Sequence, residues 1–154
     1  MLDPPGRLQD DIARMLDVIR EASGARYACI LEPTGVAFES RSDDGPAAWA
    51  ARCFLEPRLS RLFALPASLA GDGPQEDVFE GWEEDEVVLA FLNGRVALLI
   101  LSADAARARE AAERPFTTLA DRLLRWKPAF RLDEQGRGLF FGRPRVDWVV
   151  VARA

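Results

Sequence analysis

The chain contains no histidine and only two cysteines, so the base that most often activates a nucleophile is missing. Acid pairs such as Glu83 with Glu86 could act as acid and base or bind Ca²⁺, the two tasks for which proteins pair carboxylates. No Asp-x-Asp-x-Asp-Gly loop accompanies them, and solvated surface acid is the better reading. Ser68, in Leu65-Pro66-Ala67-Ser68-Leu69-Ala70-Gly71, lacks the Gly-x-Ser-x-Gly elbow and a histidine partner, and the glycines spell neither a P-loop nor a dinucleotide fingerprint. Cys29 and Cys53 each lie in an apolar stretch and read as buried reduced thiols, although a disulfide between them stays open. The His or Cys clusters that hold metals are missing. The expectation is a protein that is not an enzyme, with no catalytic residue, no metal and no cofactor.

Two other classes of residue point to contact with a partner. From Asp72 to Glu86 eight of fifteen residues are acidic and none is basic, and Glu80, Glu83, Glu84 and Asp85 belong to that run. A basic protein surface could dock there. A solvated loop and strand edge that keeps the protein soluble is the simpler account of the same charges. Of the four tryptophans, Trp49, Trp82, Trp126 and Trp148, the first two are expected at an interface, because tryptophan is enriched at binding hot spots.

Formal net charge is −5, unevenly spread. Residues 1–102 carry 9 basic and 18 acidic side chains, whereas 103–154 carry 11 and 7. Nucleic acid is therefore not expected as a partner. At 154 residues, 49% apolar and 29% charged, the chain suits one soluble domain that buries roughly two-thirds of its unfolded surface. No segment approaches the ~20 apolar residues of a membrane span, and Met1-Leu2-Asp3-Pro4-Pro5 lacks the basic and apolar regions of a signal peptide. A cytoplasmic protein without membrane contact is the expectation.

The elements that must position these side chains are written in the hydrophobic pattern. Leu8, Ile12, Met15, Leu16 and Ile19 share one side of a helix over residues 7–22, which Gly24 ends. Tyr27 to Leu31 and Val36 to Ser40 flank Glu32-Pro33-Thr34-Gly35 as a hairpin. Asp43-Asp44-Gly45-Pro46 opens a second helix with Asp44 as candidate cap. Over residues 47–55 Arg52 is the only charge. A helix apolar nearly all round requires two covering surfaces, for instance a sheet and a second protein molecule. Pro57 restarts that helix, and an apolar stripe continues from Leu59 to Leu65.

Residues 67–77 read as a loop, and Val78 to Trp82 as a short strand. Val87 to Leu92, Asn93-Gly94 and Arg95 to Leu101 then form the clearest feature of the chain, a two-residue type I′ hairpin. Neither strand alternates apolar with polar residues, so both faces of the sheet are covered. Helical pattern returns from Ala103 to Trp126, with Ser102 as candidate cap and Pro115 as a kink. Ala129 to Leu132, Gly138 to Phe141 and Val146 to Ala152 look extended, and the last run is apolar enough to join or cross a sheet edge. The resulting division is a domain over 1–127 and a C-terminal β-rich extension over 128–154, packed on the same domain.

The order helix, hairpin, helix, three-stranded meander, helix resembles the Roadblock/dynein light chain family from about Arg7 to Trp126. The matching parts are Gly24-Ala25-Arg26-Tyr27-Ala28-Cys29-Ile30-Leu31-Glu32-Pro33-Thr34-Gly35-Val36 and Val87 to Ala103. The resemblance implies an α+β, Roadblock/profilin-like fold: a central antiparallel five-stranded sheet with helices on both faces. It also implies a non-enzymatic scaffold or regulator of Ras-like small GTPases that dimerises through the central helix and the adjacent strand. Carried over, the dimer surface would be Trp49, Cys53, Val78, Phe79 and Trp82, and the partners a second copy and a Ras-like GTPase. Pro57, Pro115 and the extension depart from the family pattern. Arg114-Pro115-Phe116-Thr117-Thr118-Leu119-Ala120-Asp121-Arg122-Leu123 also resembles the closing helix of GAF-type sensors, which implies the alternative of a small-molecule-binding domain.

Overall fold

In the computed structural model, which describes residues 5–41, 45–68, 78–82, 84–132 and 144–151, Asn93 and Gly94 both take positive φ, 54° and 69°. These angles close a type I′ turn between β3 (Glu86–Leu92) and β4 (Val96–Ser102). Arg95 donates its N–H to the Leu92 carbonyl at 3.1 Å and then drops out of the ladder, whose pairing resumes at Leu92↔Val96. The strand expected to begin at Arg95 thus begins one residue later, after a single-residue bulge.

Around this hairpin the sheet runs β2-β1-β4-β3-β5 with every pair antiparallel. β1 is Tyr27–Glu32, β2 Gly35–Glu39 and β5 Val146–Val151. Period-two alternation sorts the side chains between two cores. Ala28, Ile30, Val88, Ala90, Leu98 and Ile100 face a layer built from α1 (Pro5–Ala22) and α5 (Ala105–Trp126). Tyr27, Cys29, Leu31, Leu89, Phe91 and Leu99 face α2 (Gly45–Leu55), α3 (Leu59–Leu62) and the start of α4 (Leu65–Ser68). The expected five-stranded antiparallel sheet with helices on both faces is therefore the fold.

The identity of the fifth strand differs from the expectation. Val78–Trp82 is a turn, in which the Trp82 N–H donates to the Phe79 carbonyl at 3.0 Å and Gly81 takes φ 94°. A glycine at positive φ in the third position makes a type II-like turn that leaves the extended conformation. The place beside β3 is filled instead by β5, in register from Val87↔Val151 to Leu92↔Val146.

Helix ends follow their local chemistry. Gly24, at φ 64°, ends α1, and Ala25 N–H donates back to the Arg20 carbonyl at 2.9 Å as in a Schellman motif. The α5 cap is Asp104, accepting from Arg107 N–H at 3.2 Å, rather than Ser102. Ser102 instead accepts from Asp104 N–H. α5 runs unbroken through Pro115, where a kink was expected. Pro57 lies in a 3₁₀ turn, Glu56–Arg58, that joins α2 to α3. A second 3₁₀ turn, Pro128–Arg131, replaces the extended run expected over 129–132. The candidate cap Asp44, most of the 67–77 loop and the run 138–141 lie outside the described residues.

Asn93 is more than a turn residue. It is 1% exposed, and its amide oxygen accepts from Arg145 N–H at 2.7 Å while its amide nitrogen donates to the Phe130 carbonyl at 2.8 Å. Its own N–H donates to the Arg145 carbonyl at 2.8 Å, so the hairpin turn fastens both the second 3₁₀ turn and the start of β5. Asn93→Gly keeps the positive φ and removes only the side-chain clamp. It is expected to lower the unfolding free energy by about 2 kcal/mol in urea titration, the cost of leaving buried partners unmade. A change within about 0.5 kcal/mol would mean that the amide bonds carry no net stability.

Candidate interaction surface

α2 is held on the sheet by Ala47, Ala51 and Leu55, all buried, which recur every four residues on one side of the helix. The opposite side carries Trp49, 65% exposed, and Cys53, an exposed free thiol one turn later. Trp49 is the largest of the exposed hydrophobic side chains among the described residues. An indole kept in water forfeits roughly 2 kcal/mol or more of burial.

Beside this face lies an aromatic cluster. The Phe54 ring is 5.2 Å from that of Trp82 and 6.3 Å from that of Phe79, and the Arg58 guanidinium sits 3.9 Å above it. Arg58 also donates to the Phe54 carbonyl at 2.8 Å. The structure thereby divides the five residues expected at a dimer surface. Trp49 and Cys53 point outward, Trp82 is half-buried at the margin, and Val78 and Phe79 are buried in the chain's own core. Val78 and Phe79 can act on the surface only by supporting Phe54 and Trp82, because turning the 78–82 segment packs them inward.

The acidic run is divided as well. Glu80 and Glu84 are exposed, whereas Asp85 is only 8% exposed. Arg26 grips the Asp85 carboxylate with two nitrogens, Nε to Oδ1 at 3.3 Å and Nη2 to Oδ2, and also reaches Glu84 Oε2 at 2.9 Å. The hydrogen bond that Arg26 donates to Asp85 is the main cause that raises the Arg26 pKa above its ordinary value. Asp85 thus serves the fold, leaving Glu80 and Glu84 as the acid offered to solvent. Glu83 lies outside the described residues. The neighbouring Glu86 accepts from Ala105 N–H at 2.9 Å, a carboxylate at the N-terminus of α5 where the helix dipole favours it.

A polar lock anchors α2 at β2. Tyr27 Oη donates to Glu39 Oε2 at 2.7 Å, and Arg52 Nε lies 3.4 Å from the same oxygen. Arg52, the only charge on the apolar helix, therefore faces the sheet margin rather than a partner. Beneath it, burial pushes the Cys29 thiol up to about 12 and raises the Tyr27 phenol, which the Cys29 and Glu39 charges reinforce. Both cysteines are free; Cys29 is buried as expected, whereas Cys53, expected to be buried, is exposed because it lies on the side of α2 away from the sheet. Among the described residues no group of three or more His, Cys, Asp or Glu is placed so that it could hold a metal ion, and no helix is long and apolar enough to cross a membrane. The signal for Trp49 was legible in its apolar helix. Phe54 and Arg26 were missed, because the rings of Phe79 and Trp82 and the carboxylate of Asp85 that they meet lie 25 or more positions off in sequence.

A five-stranded antiparallel sheet with α1 and α5 on one face and α2 on the other is a roadblock-like α+β fold. No family model and no curated protein sequence matches the chain. Among solved structures it is similar in fold to Myxococcus xanthus MglB, with a TM-score of 0.53 at 9% identity over 84% of this chain and 96% of that one.

The buried thiol and phenol give the fold a defined alkaline limit. Above pH 9 the unfolded chain releases the Cys29 proton while the folded chain keeps it up to about 12, and above pH 10 Tyr27 adds in the same sense. The unfolded state then binds fewer protons, so stability falls as pH rises, with a slope approaching about 1.4 kcal/mol per pH unit for each group. Stability by urea titration is expected to decline from pH 9 upward, and less steeply in Cys29→Ala. Equal slopes in the two proteins would show that Cys29 ionises alike in both states.

Proposed function

We propose that this chain is a non-catalytic, self-associating regulator of a Ras-like small GTPase, acting in the cytoplasm, with the outer face of α2 as a contact between copies. The observation that carries the reading is Trp49, held in solvent beside Cys53 on a helix whose other side is fully engaged by the sheet. The fold supports the regulatory part, since MglB is a roadblock-like small-GTPase regulator. In this reading the regulatory unit is residues 1–127 together with β5, which the 128–154 extension contributes to the sheet. Glu80, Glu83 and Glu84 offer acid to a basic patch on the GTPase, a term that fades with salt over a Debye length of about 8 Å at physiological ionic strength.

Both parts are testable. Trp49→Asp is expected to reduce the subunit number in native mass spectrometry and to weaken the contact by about thirtyfold, the effect of losing a 2 kcal/mol hot spot. The far-UV spectrum should not change. An unchanged subunit number would remove α2 from the interface, and an unfolded variant would assign Trp49 to the core. The GTPase reading is checked by titrating a purified Ras-like GTPase in its GTP and GDP states against the wild-type chain. Saturable binding to one state supports it, and no binding to either overturns it.

A further inference from the structure

Asn93 is the only asparagine in the chain, and it stands directly before Gly94. Asparagine is chemically labile, most of all before glycine, because the next backbone nitrogen attacks the side-chain amide carbon and glycine has no Cβ to shield that nitrogen. The chain thus uses asparagine once, in the sequence context where it is most reactive. The turn itself does not demand this, since Asp-Gly and Gly-Gly close type I′ hairpins as well.

What asparagine adds is a side chain that donates and accepts at once. The Asn93 amide nitrogen donates to the Phe130 carbonyl at 2.8 Å and its oxygen accepts from Arg145 N–H at 2.7 Å, in a site only 1% open to solvent. Both bonds require a flat, intact amide. Attack at Cγ makes that carbon tetrahedral, breaks the Cγ–Nδ2 bond and needs water afterwards, so the reaction has to undo the hold on Phe130 and open the site. The clamp that fastens the C-terminal segment therefore also protects its own amide.

We propose that Asn93-Gly94 is a self-modifying site that reacts when the C-terminal segment leaves it, and that the reaction makes this departure permanent. With Phe130 and Arg145 withdrawn, the Gly94 nitrogen bonds to Asn93 Cγ and gives up its proton, while Cγ–Nδ2 breaks and ammonia leaves with that proton. A cyclic imide results, which water opens. Cleavage on the Cγ side leaves aspartate and cleavage on the main-chain side leaves isoaspartate. In both cases one water is consumed, one ammonia is released and nothing is oxidised or reduced. Neither product restores the clamp. Ionised aspartate only accepts hydrogen bonds, so one of its oxygens faces the Phe130 carbonyl, and a charge is buried there without a donor opposite it. Isoaspartate inserts an extra methylene into the main chain of a two-residue turn and displaces the side chain as well.

The reaction is followed in the full chain at mildly alkaline pH, as the mass gain of replacing NH₂ by OH, mapped to Asn93 by peptide analysis. Arg145→Pro deletes the N–H given to the amide oxygen and leaves Asn93-Gly94 untouched. It is expected to react at least about tenfold faster than the wild type, because only the transiently open fraction of a folded chain is reactive. If that variant does not fold, wild type in urea below the global transition gives the same reading, with the rate rising at least about tenfold before tryptophan fluorescence reports unfolding. A folded Arg145→Pro protein that reacts at the wild-type rate, or a wild-type rate that stays flat until the whole chain unfolds, overturns the proposal. Asn93→Asp is the aspartate product made directly, and trypsin is expected to cut it after Arg145 at least about tenfold faster than the wild type. Cleavage at the wild-type rate would show that the carboxylate refastens the segment, and the one-way release would fail.

Discussion

Burying β3 and β4 from every direction is the constraint on which the rest of this structure depends. Apart from Glu86, every residue of both strands is buried, and each large aliphatic or aromatic side chain there contributes about 1.5–3 kcal/mol relative to exposure. A hairpin so placed needs a layer on each face and a strand on each edge, because a buried backbone group without a partner costs about 1–3 kcal/mol. α1 with α5 and α2 with α3 supply the faces, β1 takes the β4 edge, and β5 takes the β3 edge. The C-terminal strand completes the structure that the hairpin demands, which makes its position a consequence of β3 rather than an ornament.

Polar groups then fix what apolar burial leaves loose. Hydrophobic contact specifies that a strand lies against its neighbour, but register and end point come from directional bonds. At one end of the sheet, Arg26 before β1 holds Asp85 before β3 across the width of β4, and Glu86 ties β3 to the start of α5. At the other end, Asn93 holds the lead-in to β5, and Lys127 after α5 pairs with Glu32 of β1 at 2.8 Å while lying over the Trp126 and Phe130 rings. Pairs with one exposed member are worth ~1 kcal/mol or less. Their service is to place strand ends, and Asp85 and Asn93, both buried, are the two whose loss leaves a partner stranded.

The sequence made the local parts of this arrangement legible and hid the distant ones. Asn93-Gly94 announced its hairpin because two residues at positive φ allow little else, and the apolar circumference of α2 announced a helix with one side to spare. Val78 to Trp82 looked like a strand because its apolar residues flank one acidic side chain. Gly81 at positive φ decided otherwise, and a lone glycine does not declare its φ in advance. Ser102 and Asp104 are both good caps, two residues apart, and only the tertiary path of the chain chose between them. The clasp of Arg26 on Asp85 spans 59 positions and that of Asn93 on Arg145 spans 52. No periodicity reports a pairing at that range, so an acidic run that read as one solvent-facing stretch contained a carboxylate committed to the fold.

The same division bears on function. A monomer that has met its own burial demands has no need of an exposed indole, and Trp49 cannot be explained by the sheet beneath it, which is already covered by Ala47, Ala51 and Leu55. The small side chains on the inner side let α2 sit close to the strands. That closeness, together with the Arg52–Glu39 pair and the aromatic cluster around Phe54, sets α2 with Trp49 toward solvent. An indole presented from a helix has less ordering entropy to lose on binding than one on a flexible loop. An aromatic anchor on an apolar helix face, with its charge turned to the rim, has the anatomy of a contact surface.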